Sequence, residues 1–287
     1  ATSGPGAANM VTGLATAMMD SVPIICITGQ VPRPAIGSDA FQEMDISGAV
    51  IPVTKHSYLV MDIKDLAKTI KEAFVIARSG RPGPVLIDIP KDLQAETFDF
   101  IYPEKPIVLP GENPIRDDVD KTSLEEAAKL IANAERPVIL AGHGILLSGA
   151  SKEVVQLSEK GDLPLSWTLL GSGAVPASHN LNMGMMGMHG EFAANNAIQK
   201  ADLLIACGMR FDDRVTGNTK TYSLNSKKIH IEIDPSEINK NVPVDVALVG
   251  DLKVVLRKLL PLLEQQSNSS WIDNLSLIHI SEPTRRR

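Results

Sequence analysis

The sequence is poor in cysteine and in aromatic residues, and it contains no long apolar segment. Its two cysteines, Cys26 and Cys207, each lie within a short apolar run. Structural disulfides are rare in reducing compartments, so we expect two separate buried thiols. No apolar run reaches the length of a membrane-spanning helix, and we therefore expect no membrane partner.

Charge of both signs is present, with a mildly acidic balance, and it is not clustered. The formal net charge is -6 at pH 7, whereas nucleic-acid-binding proteins carry clustered Lys and Arg. We therefore expect no nucleic-acid partner. Hydrophobic residues make up 44% and charged residues 22% of the 287 residues, a composition typical of globular proteins, and this length suits about two domains.

Apolar runs of strand length alternate with helical patterns, which predicts parallel α/β sheets. In the first part of the chain the patterns predict helices over 7–19 and 63–79 and strands over 22–28 and 85–89. The apolar stripe of the second helix consists of Leu66, Ile70, Phe74 and Ala77.

A proline-rich stretch without periodicity begins at Phe98 and marks a domain boundary. We place a first domain at 1–102, a linker at 103–120, a second domain at 121–265 and a tail at 266–287. The second domain is predicted to open with a capping box from Ser123 to Glu126. Its predicted strands are 138–141, 165–168, 203–207 and 228–233, and its predicted helices are 152–159, 191–200 and 251–263.

Two arginines and two aspartates follow the strand 203–207, in the segment Gly208-Met-Arg-Phe-Asp-Asp-Arg-Val-Thr-Gly217. Ligands bind at the carboxyl edge of open α/β sheets, and guanidinium groups suit phosphate oxygens. The alternative is a surface loop whose charges neutralise one another. Glu232, at the end of another strand, suits a ribose hydroxyl or is an exposed carboxylate.

Glycine-rich turns lie at other strand ends, where they let a ligand approach the backbone or simply permit a tight turn. They are Ser3–Gly6, Gly142-His143-Gly144, and Gly187–Gly190 after a methionine-rich run that is more typical of core. The loop Gln30–Glu43 carries Phe41 and Gln42, which suit a pocket for a small polar substrate or a surface loop with one anchoring ring.

Six motifs occur in order along the chain: TSGPGAAN, ITGQVP, DAFQE, SGRPGPVLIDIPKD, GMHG and RFDDRVTG. Together they resemble the acetohydroxyacid synthase (acetolactate synthase) family of thiamine diphosphate enzymes, from Ala1 to about residue 263. The resemblance implies an α/β fold with two parallel-sheet, Rossmann-like domains. The first is part of the pyrimidine-binding domain, and the second is the central FAD-binding domain with a six-stranded sheet.

The resemblance also implies the site residues. Those expected beside the substrate are Gly4, Pro32, Phe41, Gln42, Lys55 and Lys91. Those expected at FAD are Ser21, Arg81, Gly142, His143, Gly144, Thr168, Leu169, Leu170, Met186, Gly187, Met188, His189, Gly208, Arg210, Asp212, Arg214, Val215, Glu232, Ile233, Gly250 and Asp251. No metal ligand is expected among these residues.

The implied reaction joins pyruvate to pyruvate or 2-oxobutyrate with loss of CO2, in branched-chain amino acid biosynthesis. Thiamine diphosphate and Mg²⁺ are expected to be held mostly by residues outside this chain, so we predict that the isolated chain is inactive. A homodimer or homotetramer in the cytoplasm, with a regulatory small subunit, is expected, and an organelle is the alternative compartment.

Two other functions are compatible with parts of the sequence. One is a related thiamine enzyme, such as glyoxylate carboligase or pyruvate oxidase, and the other is a non-catalytic flavin- or nucleotide-binding module. Residues 276–287 leave the family pattern and end in three arginines. We expect that they are non-native rather than a basic tail for an anionic partner.

Overall fold

A computed structural model describes residues 1–108 and 119–281. The chain forms two compact units, Ala1–Pro114 and Ile115–Arg287. The division falls within the stretch predicted as a linker, of which residues 109–118 lie outside the described part. Residues 98–108 form neither helix nor strand.

The first unit is built on a small parallel sheet. Its strands are β1 (Ile25–Gln30), β2 (His56–Leu59) and β3 (Val85–Pro90), and its helices are α1 (Pro5–Ala8), α2 (Met10–Asp20), α3 (Ile46–Ala49) and α4 (Ile63–Arg78). The order β1-β3-β2 places β3 in the centre, and every residue of this strand is buried. An all-buried strand explains the mostly apolar pattern of Val85–Ile89, and its one charged residue, Asp88, accepts hydrogen bonds from Thr28 and Gln30.

Three sequence predictions for this unit need correction. Strand β1 was predicted at 22–28 but runs from Ile25 to Gln30, because its pairing with β3 continues to Gln30 and Pro90. Phe74 was placed in the core stripe of α4 but is 56% exposed. The buried face of α4 runs through Ala73 and Ala77 instead, so Phe74 lies beside this face. Strand β2 was not predicted.

The second unit is a six-stranded parallel sheet with helices on both faces. Its strands are β4 (Pro137–Ala141), β5 (Leu165–Trp167), β6 (Asn182–Met185), β7 (Leu203–Cys207), β8 (Lys227–Glu232) and β9 (Val246–Val249). Its helices are α5 (Lys121–Asn133), α6 (Gly144–Ser148), α7 (Ser151–Gly161), α8 (Phe192–Lys200), α9 (Asp213–Thr216), α10 (Leu252–Leu259) and α11 (Ser269–Ser281).

The strand order is β6-β5-β4-β7-β8-β9, the doubly wound arrangement in which the winding direction reverses between β4 and β7. Alternate residues of the central strands feed two separate cores. Ile139 and Ile205 belong to one core, and Leu140 and Leu204 belong to the other. Burial on both faces explains why the strands read as continuous apolar runs.

Several elements of this unit differ from the sequence predictions. Helix α5 begins at Lys121 and is capped by Asp120, whose carboxylate accepts from the Ser123 amide, so the predicted capping box at Ser123 is wrong. Strands β6 and β9 were not predicted. The predicted tail contains α11, whose Trp271 and Leu275 are buried in the second core.

Both cysteines are free, buried thiols, as predicted. Burial raises the pKa of Cys26 and raises that of Cys207 to about 12, so neither thiol is activated. Among the described residues, no helix has both the length and the apolar character needed to cross a membrane.

Candidate functional site

The carboxyl ends of the six strands of the second unit lie along one edge of the sheet. Every flavin residue predicted for this unit lies at the end of one of these strands or in the segment that follows it. Backbone hydrogen bonds extend the pairing past the strand ends, from Gly142 to Cys207 at 3.0 Å and from Gly208 to Ile231 at 2.9 Å. The fold therefore lines one edge of the sheet with residues from Gly142 to Asp251.

The glycines at the β4 and β7 ends fit tightly against one another. A Cβ added to Gly142 would lie 2.2 Å from the Gly208 oxygen, and one added to Gly144 would lie 2.7 Å from the Gly208 Cα. Gly144 also donates its N–H to the Gly208 oxygen at 2.8 Å. The neighbouring loop therefore approaches these two backbones closely. Packing between the loops is enough to require glycine at both positions.

The arginine segment, Gly208–Gly217, follows β7 and carries two arginines that are loosely paired with aspartates. A nitrogen of Arg210 lies 3.7 Å from a carboxylate oxygen of Asp212, and one of Arg214 lies 3.7 Å from Asp213. Asp212 also caps the short helix α9, because its Oδ1 accepts from the amides of Arg214 and Val215. Asp212 thus shapes the loop, while the guanidinium groups keep donors available for an anion.

The segment after β6 touches the arginine segment. The Met188 amide donates to the Arg214 oxygen at 2.8 Å, and Gly187 has φ +96° with no room for a Cβ against this oxygen. On the other side, Gly187 exchanges two hydrogen bonds of 2.9 Å with the side chain of Asn195. Asn195 was not predicted as a site residue. Its role in holding the Gly187 backbone becomes visible only in the folded chain, where α8 lies beside this turn.

Exposed apolar side chains border this edge. Leu169 is 72% exposed and Met188 58% exposed, and the Arg214 Nη1 lies 3.4 Å from the Met188 sulfur. Leu170 is also an exposed apolar residue, whereas Met186 is buried in the second core and offers its backbone only. An apolar surface beside guanidinium groups suits a ligand that has both a flat ring and phosphates.

Glu232 is buried, which rules out the alternative of an exposed strand-terminal carboxylate. Burial raises its pKa from 4.5 to about 7, although the amides of Asp234 and Ile233 oppose this shift. Its Oε1 accepts from the Ile233 amide at 2.9 Å. The other oxygen lies 3.9 Å from the Nε2 of His230.

The remaining predicted residues of this edge have varied surroundings. Thr168 caps a short 3-10 turn that contains Leu169 and Leu170, and Asp251 caps α10. Gly250 extends the β8–β9 pairing by donating to the Glu232 oxygen at 3.0 Å. The Nδ1 of His143 is buried and has no partner in the described part of the chain, and His189 is exposed.

In the first unit, Ser21 and Arg81, both predicted as FAD contacts, are hydrogen-bonded to each other. The Arg81 Nε donates to the Ser21 Oγ at 2.9 Å. The guanidinium group also donates to the oxygens of Met18 and Met19 at the end of α2. Arg81 thereby places a positive charge at the carboxyl end of α2, where it interacts favourably with the helix dipole.

Gly4 and Gln42 are also brought together. A Cβ on Gly4 would lie 2.8 Å from the Gln42 oxygen, and both residues have positive φ. Glu43 closes the loop by accepting from the amides of Gly37 and Ala40. The folded loop presents the Phe41 side chain, which is 89% exposed, to its surroundings.

The other predicted substrate residues are Lys55, Lys91 and Pro32. The Lys55 Nζ donates to the oxygens of Ile76, at 2.5 Å, and Ser79, and burial lowers its pKa to about 8. The ammonium group therefore binds the carboxyl end of α4. Lys91 is exposed and Pro32 is half-buried.

Two protein-family models match the chain. The model of the N-terminal TPP binding domain of thiamine pyrophosphate enzymes matches residues 1–49, and that of their central domain matches residues 124–259. The second match spans the strands β4 to β9 and hence the whole carboxyl edge described above.

Curated relatives extend the similarity to most of the chain. A probable acetolactate synthase large subunit of Methanocaldococcus jannaschii is 49% identical over 96% of this chain and 47% of its own length. The large subunit of Parasynechococcus marenigrum is 47% identical over 96% of this chain and 45% of its own. An acetolactate synthase of Mycobacterium bovis is 50% identical over 92% and 42%, respectively.

The chain spans about half the length of the curated relatives it matches. Both family models and these relatives agree with the motifs and with the two parallel sheets. The chain belongs to the acetolactate synthase family of thiamine pyrophosphate enzymes.

Proposed function

We propose that the second unit binds FAD at the carboxyl edge of its sheet. The observation that carries this proposal is the convergence of Arg210, Arg214 and the exposed Leu169 and Met188 on one edge. Guanidinium groups suit the diphosphate, and the apolar side chains suit the flavin ring. Glu232, at the same edge, is the candidate for a ribose hydroxyl. The resemblance separately implies FAD contacts for Arg81 and Ser21.

We propose further that the protein condenses 2-oxoacids, pyruvate with pyruvate or 2-oxobutyrate. Thiamine diphosphate with Mg²⁺, when bound, supplies the carbanion chemistry that decarboxylates one 2-oxoacid. The contribution of this chain is to orient the substrate: Gln42 offers an exposed amide and Phe41 an exposed ring on a loop of defined shape. The exposed Phe41 also supports a homodimer in which a second subunit covers it.

The flavin proposal is tested by titrating the purified chain with FAD and measuring bound flavin by fluorescence. We expect one FAD per chain and weaker binding after Arg210→Gln, because a donor to the diphosphate is lost. Loss of one charge-assisted hydrogen bond corresponds to about tenfold in affinity. Arg78→Gln, on the exposed end of α4, is the matched control, and equal affinities of the two variants would contradict the proposal.

The reaction is tested by exchanging segments. The matching segment of the Corynebacterium glutamicum acetolactate synthase large subunit, which is 47% identical, is replaced by this chain up to residue 263. We expect the hybrid to form acetolactate from pyruvate, and Gln42→Ala to lower kcat/KM. Acetyl phosphate as the product would instead support a pyruvate oxidase. A hybrid that binds flavin but forms no product would support a non-catalytic module.

A further inference from the structure

The side chain of His230 contacts the backbone at the start of the arginine segment. It lies on β8, is completely buried, and its Nε2 is 2.8 Å from the Met209 oxygen. A carbonyl oxygen only accepts, so Nε2 must carry the hydrogen of this bond. Nδ1 then has a lone pair and is buried without a partner in the described residues. The imidazole is thus committed to one backbone group.

Phe211, two residues after Met209, is held by two contacts. The Phe211 ring packs edge-on against the His230 ring, with centroids 5.1 Å apart. The Phe211 oxygen accepts from the Asn241 Nδ2 at 2.9 Å. Met209 and Phe211 flank Arg210, so both neighbours of this arginine are fixed by side chains from β8 and from the loop before β9.

The segment is also fixed after Arg210. Asp212 caps α9, and the Met188 amide binds the Arg214 oxygen. These contacts lie within the segment or in the glycine turn beside it, whereas His230 comes from β8 and Asn241 from the loop before β9. The hydrogen bonds of His230 and Asn241 therefore fix the backbone on either side of Arg210 to the strand and loop that follow in the sequence.

We propose that His230 and Asn241 are positioning residues for the anion-binding arginine segment, and that FAD affinity depends on their hydrogen bonds to Met209 and Phe211. This inference rests on the proposed flavin site. A guanidinium group must be held close to its productive position to donate well to a phosphate. Neither residue needs to contact the ligand for its loss to weaken binding.

The test measures the FAD dissociation constant of the full chain, well below its unfolding temperature. We expect His230→Leu and Asn241→Ala each to weaken binding about fivefold, equivalent to about 1 kcal/mol for one neutral hydrogen bond. His230→Gln should restore binding, because its amide nitrogen has the reach of the imidazole Nε2. A role in packing alone would not distinguish Gln from Leu in this way.

Two controls separate positioning from general destabilisation. Ile229→Ala removes a buried neighbour of His230 that packs in the core on the other face of the sheet, and it should lower stability without weakening FAD binding. Asn133→Ala matches Asn241→Ala, since the Asn133 Nδ2 also donates to a backbone oxygen, at 2.7 Å, but at the end of α5. Equal weakening by the controls and the test variants would overturn the inference.

A second measurement keeps the inference separable from the flavin proposal. Trypsin cuts after Arg210 only when the segment leaves its half-buried position. If the unmodified chain does not bind FAD, the flavin proposal fails, but faster cleavage after Arg210 in His230→Leu and Asn241→Ala would still support the positioning role. Unchanged cleavage and unchanged affinity in both variants would overturn it.

Discussion

The side-chain amide of Gln30 donates a buried hydrogen bond of 2.9 Å to the Oδ2 of Asp88 on the neighbouring strand. The same Gln30 nitrogen donates to the Met44 oxygen at 2.7 Å, and its oxygen accepts from the Val31 amide at 2.9 Å. One side chain therefore binds both ends of the loop that carries Phe41 and Gln42. Thr28 completes the arrangement by donating to the other Asp88 oxygen at 2.7 Å.

We predict that Gln30→Ala lowers the free energy of unfolding by about 2 kcal/mol, because it leaves a buried Asp88 oxygen and both loop ends without this partner. Gln94→Ala is the control, because the Gln94 amide donates to a backbone oxygen, that of Ile89, at 2.7 Å. Urea unfolding followed by circular dichroism measures both variants. A loss no larger than that of the control would show that the loop does not depend on Gln30.

Glu232 should make the stability of the chain fall as pH rises. Burial raises its pKa from 4.5 to about 7 in the folded chain, so the folded chain binds more protons than the unfolded chain between these values. The free energy of unfolding therefore decreases through this window. Below this pH window, Glu232 is protonated in both the folded and the unfolded chain, so its burial no longer lowers the free energy of unfolding.

Glu232→Gln keeps an oxygen for the Ile233 amide but has no charge to bury. We expect the variant to be more stable than the parent at pH 8 by roughly 3 kcal/mol, with the difference vanishing at pH 4. Chemical unfolding at both pH values measures this, and Glu135→Gln, at a largely exposed position, should show no such change. A difference that is the same at both pH values would rule out titration of Glu232.

Gly208 is predicted to be intolerant of any side chain. Its φ is +57°, and an added Cβ would lie 2.7 Å from the Gly144 Cα, which is backbone and does not move aside. Gly149 has a similar φ of +63°, but its nearest neighbour is a lysine nitrogen at 3.9 Å. The two glycines thus separate backbone strain from crowding.

We expect Gly149→Ala to cost about 1 kcal/mol, the strain of a left-handed backbone alone. Gly208→Ala should cost more than about 3 kcal/mol, because crowding between the β4 and β7 ends adds to this strain. Thermal unfolding of both variants measures the difference. Equal losses would mean that the two loops can separate without cost.

Local patterns in the sequence determined much of the architecture. The predicted strand at Leu203–Cys207 is confirmed residue for residue, and helix α4 ends within one residue of its prediction. Buried parallel strands are short, unbroken apolar runs between helical patterns, so their signal is local. The motifs likewise identified the family, since RFDDRVTG, GMHG and DAFQE can be read without any knowledge of the fold.

Only the tertiary structure decided the partners of these segments. The sequence shows that Gly142 and Gly208 follow strands, but not that they press against each other across the β4–β7 junction. Strands β6 and β9 were missed because each has only four residues and forms by pairing with a neighbouring strand. Asn195, His230 and Asn241 belong to none of the motifs, and Gln30 lies in ITGQVP. The roles of all four arise from contacts with residues far away or in other elements. Such contacts follow from strand order and burial, which no local pattern encodes.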